Sequence, residues 1–296
     1  MTLKLGLVGS SLMILIGVAG AVILFSRIFL PITVAYLNRQ APATRANLLL
    51  AWASAPLWLS LAILGFILAP SVAHMAGLAA DHCHEHSHHV HLCILHSPLF
   101  TGSTAELLLL GGLAGLIVIW FFGFVLRLRR GQRALRTLMA LSKPPDDTCP
   151  YHVVVSRRPF AVTAGLLRPL VIISSRLLGA LHSLELRTVI SHELAHQRRR
   201  DGLRQLLLEL FVRIHLPAMR SVVLEQFSLA IEQACDELAA KQAGDRLQVA
   251  ETILKLARLA DPRSPVALSV GPSFMGTDTT LRVEGLLNPP LPMHPW

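Results

Sequence analysis

Three stretches in the first 126 residues carry no charge: residues 5–26, 46–73 and 107–126. A helix needs about 20 apolar residues to cross the hydrocarbon core of a bilayer. It also satisfies its own backbone polar groups there. Three such runs are hard to bury in a soluble core. They predict transmembrane helices at about 5–26, 48–70 and 107–126. Composition agrees: 53% of residues are hydrophobic, 15% are charged and the mean hydropathy is +0.54. A soluble domain carries about 25% charged residues, so disorder and an ordinary soluble globule are both excluded. The first run resembles a signal peptide weakly, at Ala19-Gly20-Ala21, but it is too long for one and is read as a retained span.

The formal net charge is +9. In a soluble protein that points to nucleic acid; here the positive residues sort by side. Arg27, Arg39 and Arg45 follow the first run. Arg127, Arg129, Arg130, Arg133, Arg136 and Lys143 follow the third. The N-terminus has Lys4, and residues 74–106 have no Lys or Arg. Positive residues near span ends favour the cytoplasm. The expected topology in a bacterial inner membrane puts the N-terminus and residues 74–106 outside, and everything from Arg127 inside. The segment from Arg127 to Lys143 is expected against anionic headgroups, with no direct nucleic-acid partner.

The outward connection is rich in His82, Cys83, His84, His86, His88, His89, His91, Cys93 and His96. Imidazole and thiolate suit zinc, copper and nickel, so an additional transition metal is a candidate ligand. The spacing is too dense to define one tetrahedral site. The alternatives are an adaptable metal-reading loop, or a solvated connector with Cys83 and Cys93 as a disulfide outside the cytosol.

From Tyr151 the pattern changes. Residues 152–156, 160–164 and 170–174 read as short strands, and Gly165 to Pro169 reads as a turn. A helix follows, with Ser183 as its expected N-cap and Glu185 in its first turn. It carries His192-Glu193-Leu194-Ala195-His196. Residues four apart share a helix face, so both imidazoles reach one metal ion. Zinc held there lowers the pKa of water to about 7, and Glu193 is the neighbouring base. Catalytic zinc takes three protein ligands. Glu232, on a second helical stretch, can complete a His₂Glu set, and Asp236 on the same face can hold the far nitrogen of a ligand histidine. Cys235 reads as a packed small residue, and Cys149 receives no role. Asp201 and the three preceding arginines read as a helix end facing solvent or phospholipid. Residues 203, 206, 207, 210 and 214 read as an apolar stripe, packed in a core rather than lying on the membrane.

Taken in order, Gly-Leu-Leu-Arg-Pro at 165–169, Ser-His-Glu-Leu-Ala-His at 191–196, His-Leu-Pro-Ala at 215–218, Glu-Gln-Ala-Cys-Asp at 232–236 and Thr-Leu-Arg-Val-Glu-Gly-Leu-Leu at 280–287 resemble the BlaR/MecR-type membrane metallopeptidases. Those proteins are antirepressor sensor-transducers. The resemblance spans roughly half the chain and implies a gluzincin-type zinc peptidase. His192, His196 and Glu232 would be ligands, Glu193 the general base and Asp236 the partner of a ligand histidine. It also implies substrate docking as an added strand on an exposed sheet edge, for which residues 160–164 are the candidate.

The fold class expected is therefore a multi-pass α-helical membrane protein with a cytoplasmic α+β zincin-like metallopeptidase domain. The membrane region is expected over residues 1–126, the peptidase domain over 127–288 and a tail over 289–296. The expected function is hydrolysis of a cytoplasmic protein, a transcriptional repressor, in signal-dependent regulation. An HtpX-type quality-control protease and a non-proteolytic metal binder are the alternatives. The sequence runs to Trp296 with neither a fourth span nor a penicillin-binding domain, so β-lactam sensing is not expected. A reporter fused after Gly131 should report cytoplasm; a periplasmic signal there would overturn the charge argument.

Overall fold

A computed structural model describes residues 2–78, 104–144, 146, 149–259 and 279–288. The His/Cys-rich run from His82 to His96 lies outside these residues, as does the tail from 289 onward. The elements in chain order are α1 (Thr2–Leu37), α2 (Pro42–Met75), α3 (Thr104–Leu141), β1 (Ser142–Lys143), β2 (Tyr151–Val154), β3 (Ala161–Ala164), β4 (Leu170–Ser174), α4 (Ser175–Leu178), α5 (Ser183–Arg199), α6 (Asp201–Val212), α7 (Pro217–Ala243), α8 (Arg246–Leu259) and α9 (Thr279–Leu287).

The three N-terminal helices are long and apolar enough to cross a membrane. They are also longer than the charge-free runs, with 36, 34 and 38 residues. At 1.5 Å per residue each exceeds 50 Å, roughly, against a hydrocarbon core of about 30 Å. Arg27 and Arg45 are therefore helical residues, not loop residues. The connection between α1 and α2 shrinks to the few residues around Asn38–Ala41.

The contacts divide the chain into two compact units. One comprises Met1–Phe29 and Ser54–Leu126; the other comprises Leu30–Ala53 and Arg127–Trp296. The second unit thus takes in the α1–α2 hairpin as well as the elements after the third span. Leu30, Leu37, Ala46, Leu49 and Ala53 of that hairpin share a buried cluster with Leu208, Val212, Met219, Val223, Phe227 and Ile231. Arg204 of α6 donates to Asn47, and Arg45 donates to Gln233 of α7.

The sheet order is β1-β2-β4-β3. β2 runs parallel to β4, whereas β1–β2 and β3–β4 are antiparallel. Alternation along each strand sorts side chains to two faces. Ala161, Val171 and Ile173 pack with Val189, Ala239, Val249, Ile253 and Leu286 beneath α5, α7, α8 and α9. Val162, Ala164 and Ile172 point the other way, with Leu135 and Leu138 of α3 against them. The C-terminal part of α3 is thus a cover for the sheet, while Arg129, Arg130, Arg133 and Arg136 remain exposed. β3 does lie at an edge, as residues 160–164 were read, yet all four of its residues are buried.

Two local expectations are corrected. The N-cap of α5 is His182, one residue earlier than Ser183. His182 Nδ1 accepts from the Glu185 backbone N–H, and Glu185 Oε2 accepts from the His182 backbone N–H at 3.0 Å. This reciprocal pair is a capping box, with imidazole doing the work usual for a hydroxyl. The apolar stripe on α6 is also displaced: its buried apolar residues are Leu208 and Val212. The hairpin covers α6 from that side, a tertiary choice that periodicity does not encode. Leu208→Ala should cost about 2–5 kcal/mol, read as a lowered thermal midpoint of the full chain in detergent; an unchanged midpoint would show that the hairpin is not part of this core.

Candidate metal centre

Helix α5 carries the His-Glu-x-x-His segment because its buried face contains Thr188, Val189, His192, Glu193, Ala195 and His196. Ile231, Glu232, Ala234, Cys235 and Asp236 are buried on α7, which packs along α5. The two imidazoles meet edge to face, with ring centroids 4.7 Å apart. His192 Nε2 lies 3.0 Å from His196 Nε2. Glu232 presents Oε2 at 3.4 Å from His192 Nε2 and Oε1 at 3.5 Å from His196 Nε2. A tetrahedral ion with Zn–N bonds of about 2.0–2.1 Å sets neighbouring donors about 3.3 Å apart. The three observed separations bracket that edge length, so the residues fit zinc. His192, His196 and Glu232 form a buried triad able to hold a metal.

The orientation of each imidazole is set from behind. His192 Nδ1 lies 2.9 Å from Asp236 Oδ1. His196 Nδ1 lies 2.9 Å from Asp201 Oδ2. A ring that donates its Nδ1–H to a carboxylate keeps the Nε2 lone pair for a ligand. Asp201 is a correction: it is buried, not facing solvent or lipid. Arg200 breaks the helix between α5 and α6 with φ 52 and ψ 44, a left-handed conformation. That conformation costs a non-glycine residue about 1–2 kcal/mol, and it starts α6 at Asp201, whose carboxylate meets His196. Arg199 and Arg204 then both pair with Asp201.

Arg282 of α9 was not singled out from the sequence. It is buried, and its Nε and Nη2 contact Asp236 at 2.8 and 2.7 Å. Its Nη1 lies 3.1 Å from Glu232 Oε2. Buried carboxylates are costly unless paired. For Glu232, burial pushes the pKa up, but Arg282 first and His196 next outweigh it, leaving the carboxyl well below its usual range. Asp236 is lowered in the same way, against burial, by Arg282 and then His192.

Glu193 is the exception among these carboxylates. Burial is the largest influence and raises its pKa, opposed by the two imidazoles and by Thr163. The Thr163 hydroxyl of β3 lies 2.7 Å from Glu193 Oε2 and 2.8 Å from the Glu193 carbonyl oxygen. Its single proton serves one of them at a time. Glu193 Oε1 is buried without a hydrogen-bond partner among the described residues. A buried, unpartnered oxygen beside a metal triad has the proton affinity and free lone pairs a base requires.

Cys235 lies 3.3 Å from His196 Nδ1 and donates to Asp201 Oδ2 at 3.5 Å. Burial pushes its thiol up to about 11, so it stays protonated and packs as a small residue. His215 and His182 take structural positions, the first on Ala53 and the second as the α5 cap. Asp201→Asn should lower zinc affinity 10–100-fold, measured by competition with a chelating dye on the full chain. An affinity equal to that of the unmodified chain would reduce Asp201 to a helix-end residue.

No curated protein and no solved structure matches the chain. A family model does match, over the elements that supply His192, Glu193, His196, Asp201, Glu232 and Asp236, and it is not one specific to the BlaR/MecR sensor-transducers. Residues 126–264 match the model of peptidase family M48, and this stretch follows three helices long and apolar enough to cross a membrane.

Proposed function

We propose that this chain is an integral-membrane zinc endopeptidase that hydrolyses peptide bonds of a protein on the cytoplasmic side. The observation that carries the reading is Glu193: a buried carboxylate with one oxygen free, beside a triad whose donor spacing suits zinc. His192, His196 and Glu232 hold the ion. Asp201, Asp236 and Arg282 keep those three side chains in place, so little reorganisation accompanies turnover. Glu193 Oε1 takes a proton from the attacking water as the oxygen bonds to the peptide carbon. The same proton passes to the amine nitrogen as the C–N bond breaks. Thr163 ties β3 to Glu193, which puts an edge strand within one side chain of the reaction. An extended substrate pairing with β3 would be held in line with the base.

The motif order that resembles the BlaR/MecR-type peptidases supports a transcriptional repressor as substrate and cleavage in response to a signal outside. The His/Cys-rich outward run is the candidate receiver, with a transition metal as its ligand. The pairing of His192-Glu193-x-x-His196 with the distal Glu232-x-x-x-Asp236 favours a second reading, membrane protein quality control of the HtpX type. The charge asymmetry supports a cytoplasmic peptidase domain in either case.

Glu193→Gln should abolish cleavage, by at least about 100-fold, while zinc content is unchanged. The inactive full chain should then retain its substrate in the cell. A DNA-binding repressor among retained proteins favours the regulatory reading, and misassembled membrane proteins favour quality control. Unchanged proteolysis by the variant would sink the peptidase reading itself.

A further inference from the structure

The turn between α6 and α7 exposes two aliphatic side chains, Ile214 at 45% and Leu216 at 42%, on either side of the buried His215. His215 Nε2 lies 3.0 Å from the Ala53 carbonyl oxygen, and its ring stacks on Trp52 with centroids 4.9 Å apart. Burial lowers the pKa of His215, so the ring is neutral and donates that Nε2–H. The turn is thereby pinned to α2 at residue 53. From Ser54 to Met75, α2 has about 22 residues, or about 33 Å of helix, close to one hydrocarbon thickness of about 30 Å. The turn is therefore anchored where α2 would leave the bilayer.

Positive charge gathers at the same place. The apolar run of α3 ends at Arg127. Arg213 closes α6 and Arg220 lies near the start of α7. Arg127 and Arg220 are exposed and Arg213 is half-buried. Burial first, then the like charges of Arg127 and Arg220, lower the Arg213 pKa, with Glu209 opposing. Three positive charges against the one carboxylate of Glu209, next to exposed aliphatics, leave an excess that a phosphate would neutralise. Guanidinium groups bind phosphate oxygens in a bidentate manner.

We propose that this turn is a headgroup site for an anionic phospholipid. Ile214 and Leu216 enter the interfacial layer, and Arg127, Arg213 and Arg220 hold the lipid phosphate. Aliphatic side chains beside basic ones are the arrangement of interfacial binding, and each arginine near an anionic surface contributes about a fivefold preference. The proposal depends on the spans crossing a bilayer and is independent of the peptidase reading, because its test uses no substrate.

The full chain is reconstituted in nanodiscs containing equal amounts of phosphatidylglycerol and phosphatidylcholine. Retained lipids are then counted by native mass spectrometry after release. Phosphatidylglycerol should be retained in excess, and R127Q/R213Q/R220Q should reduce that excess by tenfold or more. R187Q/K241Q/R258Q removes the same charge from α5, α7 and α8 and should leave it intact. R220Q alone, at an exposed position, should cost about fivefold and covers the case in which the triple variant fails to fold. Equal retention of the two lipids, equal losses in both triple variants, or no effect of R220Q would overturn the site. Failure of the chain to enter the bilayer would overturn the spans and the site together.

Discussion

Two imidazole–carboxylate contacts, His192 to Asp236 and His196 to Asp201, are those on which the rest of the centre depends. Each is 2.9 Å long and each fixes which ring nitrogen faces inward. Without them either ring could turn, and the 3.0 Å approach of the two Nε2 atoms would have no cause. The carboxylates are themselves buried and must be neutralised. Arg282 does this for Asp236 and Glu232, and Arg199 and Arg204 do it for Asp201. The centre is therefore a network of alternating charge that spans α5, α6, α7 and α9.

That network explains several local features that look unrelated. Arg200 adopts a left-handed conformation because the chain must reverse at once after His196 to present Asp201. Cys235 is a small, protonated residue because a larger or charged one would disturb the contact between His196 and Asp201. α9 packs against α7 and α8, and its Arg282 is among the most deeply buried large side chains of the molecule. Glu193 escapes this neutralisation. Its carboxylate is left with Thr163 and one oxygen without a hydrogen-bond partner among the described residues, which sets it apart from the paired carboxylates of Asp201 and Asp236.

The α1–α2 hairpin shows how the ends of two long apolar helices can serve as protein core. Its buried residues, Leu30 to Ala53, pack with Ile231, the neighbour of Glu232 in sequence. Gln233, on the other side of Glu232, accepts from Arg45 and donates to the Leu281 carbonyl oxygen. The α7 segment that carries Glu232 is thus flanked by hairpin contacts on one side and by α9 on the other. A domain cut at Arg127 would lose one wall of this packing.

Elements with a local signal are legible in the residues alone. Charge-free runs marked the three spans, and a separation of four residues placed His192 with His196 and Glu232 with Asp236 on shared helix faces. The β3 segment was legible from its apolar run, though not the covering of its two faces by α3 on one side and α5 on the other. Tertiary structure decided what depends on distance along the chain. Arg282 comes some fifty residues after Glu232, and no periodicity links them. Asp201 follows a run of arginines and reads as a helix end until the turn at Arg200 folds it onto His196. Helix length was misjudged for a similar reason: counting apolar residues stops at the first charge. The helices continue through Arg27, Arg45 and Arg127 because the turns beyond them pack against protein, through Leu30 and Leu37, Leu49 and Ala53, and Leu135 and Leu138.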